Sequence, residues 1–156
     1  MSGAPLDTAD VVLVSACLLG HACRHDGRNN GSPALLAALQ GKAVVPICPE
    51  AGAGLGTPRP PVQLRGGDGD AVLDGLARAR EVEGGVDRTE AFREGARLAV
   101  AAARAHGAAA AVLKERSPSC GCRQVWQDGA RVAGRGVAAA ALARAGVAVL
   151  SDEEVR

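Results

Sequence analysis

The chain has 156 residues, enough for one domain with its own core, and sets 18 Lys and Arg against 17 Asp and Glu for a formal charge of +1. That balance gives no clustered basic face of the kind nucleic-acid binders carry, and the 47% apolar fraction rests mostly on Ala, Val and Leu, with Phe92 and Trp126 the sole aromatics. No run approaches the roughly 18 to 20 apolar residues of a membrane span, and no basic region precedes the first apolar run, so the expected setting is the cytoplasm.

In chain order, VVLVS (Val11 to Ser15) is a continuous apolar run, as in a strand covered on both faces. SPALLAALQG follows as a helix, with Ser32 as N-cap, Pro33 in the first turn and Gly41 beyond its end. AVVPIC is the second strand, and the Gly/Pro-rich loop AGAGLGTPRPP follows it. The segment from Gly66 to Gly85 shows no clear period and stays unassigned. DRTEAFREGARLAVAAARAHG is the strongest helix, with Asp87 and Glu90 as a capping pair and Gly107 as its stop. AAAAVLKE is then the third strand, GVAAAALARAG a helix and VAVLS the fourth strand. Strands alternating with helices predict a single α/β domain over residues 1–156, with a mainly parallel four-stranded sheet flanked by helices.

Five cysteines in a reducing compartment, an odd number, point to metal binding or thiol chemistry rather than a disulfide framework. Cys17 lies just past the first predicted strand, Cys48 ends the second, and Cys120 follows the third. In a parallel sheet the carboxyl ends share one edge, where ligands bind, so the three thiols can converge although they are far apart in sequence. Convergent thiolates suit soft metals, either zinc or an iron–sulfur cluster. The paired Cys-x2-4-Cys spacing of a closed zinc site is missing, and Cys120 and Cys122 are too tightly spaced to supply it. Three ligands and one open position describe a reactive centre.

The stretches VVLVSACLLGHACRHDG, VPICPEAGAGLGTPRPP, DGLARAREVEGGVDRTEAFREGA, AAVLKERSPSCG and DGARVAGRGVAAAALARAGVAVLSDEE resemble, in that order, the thiouracil desulfidase family. The resemblance implies a Rossmann-like domain that holds a [4Fe-4S] cluster by Cys17, Cys48 and Cys120 and leaves one iron open to the sulfur of a small thiolated base. The implied reaction replaces C=S by C=O and releases sulfide. Glu50, two residues past Cys48, is then placed as general acid and base, where an ordinary reading would make it a helix-cap carboxylate. Ser117 would serve catalysis or the proton path, and Ser119, Arg24, Asp26 and Lys114 would contact substrate or shape the pocket. Lys114 could equally pair with Glu115 at the surface, and Arg59 could shape the pocket or simply pin its own loop. His25 replaces a Tyr usual in the family's RYDG pattern. Cys23 and Cys122 read as structural or incidental.

Two other functions compete: a metal-binding module without catalysis, and desulfuration of thiolated bases within transfer RNA. The second lacks a basic stripe, which favours a small-molecule substrate. Oligomeric state leaves no mark on the sequence.

Overall fold

The computed structural model describes residues 4–21 and 31–155. Its first half contains α1 (Ala4–Thr8), β1 (Val11–Ser15), α2 (Pro33–Ala38), β2 (Ala43–Ile47), α3 (Pro49–Gly52), β3 (Val62–Arg65), α4 (Gly69–Leu73) and β4 (Arg78–Glu81). The second half contains α5 (Thr89–His106), β5 (Ala110–Leu113), β6 (Gln124–Gln127), β7 (Ala130–Ala133), α6 (Val137–Arg144), β8 (Ala148–Ser151) and α7 (Asp152–Val155).

The four strands expected from the sequence form one parallel sheet in the order β2-β1-β5-β8. Its strands are apolar without alternation because both faces are covered. Leu13, Ala111 and Leu113 pack among Phe92, Ala96 and Ala99 of α5 and Val137, Ala138 and Leu142 of α6. Val12, Val14, Ala110 and Val112 face the other way, onto Leu6, Leu18, Leu35 and Leu39. Phe92 is fully buried, a contribution of about 1.5–3 kcal/mol. Helix α2 begins as expected: the Ser32 hydroxyl accepts the Leu35 N–H, with Pro33 in the first turn. Among the described residues no helix is long and apolar enough to cross a membrane.

A second, mixed sheet, ordered β4-β3-β6-β7, was not foreseen. Its strands are four residues long and rich in charge: Arg78-Ala79-Arg80-Glu81 turns Ala79 inward and its arginines outward. Those arginines have acidic partners, with Arg65 3.2 Å from Asp128 and Arg78 2.9 Å from Asp87. Strands β6 and β7 form a hairpin whose two central residues, Asp128 and Gly129, both have positive φ, as such tight turns require. Leu64, Ala79 and Val125 of this sheet join the same apolar cluster as α5 and α6.

The start of α5 also corrects the expected capping pair. The helix begins at Thr89, with Arg88 at the N-cap and no side-chain cap bond. The Asp87 carboxylate instead accepts the Thr89 N–H at 2.8 Å and the Arg78 Nε–H at 2.9 Å. Asp87 thus keeps the first amide of the helix from one residue before the N-cap and shares its carboxylate with an arginine of the unforeseen β4, whose hydrogen bond holds Asp87 at about 2.

Candidate active site

Strand β2 lies on one side of β1 and β5 on the other, so the direction of the crossovers reverses at β1. In open α/β sheets the crevice outside the strand ends at such a reversal is where ligands sit. Cys17 occupies a 3-10 turn, Ala16–Leu19, directly after β1 and closed by Gly20 at φ 95°. Cys48 directly follows β2 and is the N-cap of α3. Cys120 stands on the loop that leaves β5. All three line one cavity of about 610 Å³, together with Ser15, Glu50, Arg59, Lys114, Ser117 and Ser119. The second sheet completes its wall with Val62, Gln63 and Trp126, and the loops add Pro61, Val82 and Gly129.

A chain of hydrogen bonds runs across this cavity. Arg59 donates from Nε to Glu50 Oε1 at 3.1 Å, and the Ser119 hydroxyl donates to Glu50 Oε2 at 2.8 Å. Ser119 Oγ is 3.0 Å from Ser117 Oγ and 3.7 Å from Cys120 Sγ, within reach of the thiol proton. Arg59 and Glu50 are both largely buried, with side chains 8% and 13% exposed, so solvent screens their attraction little. Arg59 also pins its loop, donating to the Gly56 carbonyl and the Thr57 hydroxyl. Ser117 makes the turn before Cys120: its oxygen accepts the N–H groups of Ser119 and Cys120.

Two glycines let helices press on the ligand segments. A Cβ at Gly95 of α5 would lie 2.4 Å from the Pro49 carbonyl oxygen, beside both Cys48 and Glu50. One at Gly136 would lie 2.5 Å from the Ser119 carbonyl carbon. Helix α6 has no side-chain N-cap, because its first amides go to the Cys120 loop: Val137 donates to the Pro118 carbonyl, and Ala138 and Ala139 to that of Ser119.

Burial pushes the Cys120 thiol up to about 12, opposed by hydroxyls of Ser15 and Ser119. A thiol in that setting keeps its proton until a cationic centre displaces it. Burial also raises Cys122, which lies outside the cavity lining and donates from Sγ to the Cys120 carbonyl. Among the described residues no three Cys, His, Asp or Glu side chains close on a point that could hold a single metal ion. The three thiols share one cavity wall.

Lys114 lines the cavity and donates from Nζ to the Glu115 carbonyl. Glu115 is not its surface partner: the Glu115 side chain is 2% exposed, because the backbone folds round it as an internal anchor. Oε1 accepts the N–H groups of Cys122, Arg123 and Gln124, each at 2.9 Å. Burial alone would raise this carboxyl, yet the amides together with the Ser151 hydroxyl hold it at about 2. Arg24, Asp26, Cys23 and His25 lie outside the described residues. Sequence reasoning missed Ser15, Glu115 and Trp126. Of the three, Trp126 had a legible signal in the Asp128-Gly129 hairpin turn just after it.

Fold and site together define an α/β protein with a thiol-lined, carboxylate-bearing cavity at the carboxyl edge of a parallel sheet. A family model described as 2-thiouracil desulfurase matches residues 12–154, and the chain belongs to that family. It is 39% identical over 148 residues to the uncharacterized protein YbbK of Bacillus subtilis (strain 168), covering 93% of this chain and 97% of that one. It also superposes on a solved structure of the [4Fe-4S]-dependent thiouracil desulfidase TudS with a TM-score of 0.80 and 38% identity, over 94% of this chain and 93% of that one.

Proposed function

We propose that this chain, as one domain, is a desulfidase that takes a small thiolated pyrimidine, such as thiouracil, and water to the corresponding carbonyl compound and hydrogen sulfide, with no net redox change. The observation that carries the reading is that Cys17, Cys48 and Cys120 line the same cavity as Glu50 and Ser119. Family membership and the likeness to TudS support it. Three thiols of a soft-metal donor set, the cysteines that line the cavity among the described residues, fit a [4Fe-4S] cluster held by Cys17, Cys48 and Cys120. When bound, such a cluster supplies an iron without a protein ligand, a Lewis acid for a thiocarbonyl sulfur.

The chain's own groups do the rest. Glu50 takes a proton from the attacking water at one carboxylate oxygen and returns it to the departing sulfur or a ring nitrogen. Arg59 keeps that carboxylate in place through Oε1. Ser119, already donating to Oε2, can pass a proton between Glu50 and the Cys120 side of the cavity, with Ser117 setting the turn that carries it. Lys114 offsets anionic charge at the cavity wall. The wall formed by Pro61, Val82 and Trp126 presents apolar and aromatic surface to a flat heterocycle.

Glu50→Gln tests this directly. The amide keeps the carboxylate's size, so anaerobically reconstituted protein should retain its iron and bind thiouracil. Turnover should fall by about 10²- to 10⁴-fold, the usual worth of a general acid–base group. Normal turnover would remove Glu50 from the mechanism, and loss of iron would reassign it to organising the Cys48 segment.

A further inference from the structure

We propose that Glu115 is a positioning residue for Cys120: its buried carboxylate clasps the returning backbone of the 115–124 loop and sets the thiol's place on the cavity wall before any cofactor arrives. This deepens the reading of Cys120 as a ligand and rests on it. Glu115 leaves β5, the chain turns through Ser117 and Cys120, and it returns along Cys122, Arg123 and Gln124 to enter β6. The three returning amides all point at Oε1, at 2.9 Å each, and the Arg116 amide approaches the same oxygen at 3.3 Å. Successive amides converging on one anionic oxygen form an anion nest, here filled by the protein's own side chain.

The base of the clasp is fixed as well, since the Glu115 N–H donates to Asp152 Oδ1 at 2.8 Å. Inside the loop, the Gly121 N–H donates to the Ser117 carbonyl at 2.8 Å, so Cys120 sits in a tight turn whose two ends are joined through Glu115. A surface ion pair does not account for Glu115: Arg123 Nε is 3.7 Å from Oε2 and its side chain is 57% exposed, a weak and screened contact. Oε2 is buried and takes no amide, the Ser151 hydroxyl supports the carboxylate, and the returning backbone is gathered on Oε1.

The test uses iron-free full-length protein. Wild type, Glu115→Ala and Glu115→Gln are pulsed with iodoacetamide under native conditions, and each cysteine is followed by mass spectrometry. Glu115→Ala strands the three amides, so labelling of Cys120 should rise by about tenfold or more through local opening, while Cys17 and Cys48 stay within about twofold of wild type. Glu115→Gln keeps an amide oxygen for the same three N–H groups but loses the anionic charge, so its Cys120 labelling should fall between that of wild type and that of Glu115→Ala. Unchanged Cys120 labelling in folded Glu115→Ala overturns the clasp, as does a common rise at all three thiols, which would show only general stability. Glu115→Gln labelled as fast as Glu115→Ala also overturns it, because the retained oxygen would then hold none of the three amides. Hydrogen exchange on wild type stands apart from the variants: the amides of Cys122, Arg123 and Gln124 should be protected, and exchange at exposed-loop rates would sink the proposal even if Glu115→Ala fails to fold. None of these readouts needs iron, so Cys120→Ala protein that retained its cluster would refute the ligand reading while leaving the clasp intact.

Discussion

The segments that carry Cys48 and Cys120 reach the same cavity but are held by different forces. Cys48 and Glu50 ride on α3, which is pressed against α5 where Gly95 lets the helix backbone meet Pro49. Its polar tethers both end on the Glu50 carboxylate, one from Arg59 and one from the Ser119 hydroxyl. The Cys120 loop is held by amides at both ends: Glu115 receives three of them, and the loop's own carbonyls receive those of α6. Steric contact resists displacement in one direction only, whereas a set of directed hydrogen bonds fixes position and orientation together. The division of labour fits the chemistry, because the Cys48 segment carries the proton-transferring carboxylate and the Cys120 loop carries a buried thiol.

Replacing the thiols separates the two segments most sharply. Cys48→Ala, Cys120→Ala and Cys17→Ala should each abolish bound iron after anaerobic reconstitution, because a methyl group cannot stand in for an anionic ligand. Cys122→Ala, outside the cavity lining, should leave the iron content of wild type. Iron that survives loss of Cys48, or vanishes with Cys122, would mean that the ligand set is misassigned.

The glycine contacts come next. Alanine at Gly95 would gain about 1 kcal/mol of helix propensity, but the new methyl meets backbone, which cannot swing away as a flexible side chain would. Overpacking of that kind costs about 1–3 kcal/mol, so Gly95→Ala should lower the urea midpoint and, by shifting α3, reduce turnover more than iron content. Gly136→Ala pushes on Ser119 and Cys120 and should reduce iron content first. If both variants lose iron and turnover in the same proportion, the two segments are not independently supported.

How much of this was readable beforehand follows from the length and the surroundings of each element. The parallel sheet showed itself because Val11 to Val14, Ala43 to Ile47 and Ala108 to Leu113 are apolar at every position, and the three cysteines lie past where those runs end. The second sheet did not, because four-residue strands such as Arg78 to Glu81 bury two side chains each, and their outward arginines read as loop. Glu115 was hidden for a related reason. A carboxylate beside Lys114 reads as a surface pair, and only the return of residues 122–124 supplies the amides that make its burial tolerable. Trp126 reached the cavity wall through the same unforeseen sheet.

Acid should release the Cys120 loop before the Cys48 segment. Glu115 sits near 2 in the folded chain, against an ordinary value near 4.5. A depressed carboxyl contributes stability that is complete above its unfolded value and is lost as pH falls toward its folded one, so the window runs from about pH 5 down to pH 2. Its full worth is on the order of 2–3 kcal/mol. Other carboxylates, Asp87 among them, titrate in the same range, so the informative quantity is a difference. Urea midpoints of iron-free wild type and Glu115→Gln, taken from pH 6 to pH 3, should converge as the pH drops, because the amide has no proton to gain. Over the same range a dipyridyl disulfide, which reacts with thiols in acid, should begin to label Cys120 in wild type at a higher pH than Cys48. Parallel midpoint curves, or Cys48 labelled first, would show that the polar clasp is not the acid-sensitive element and that the two segments open together.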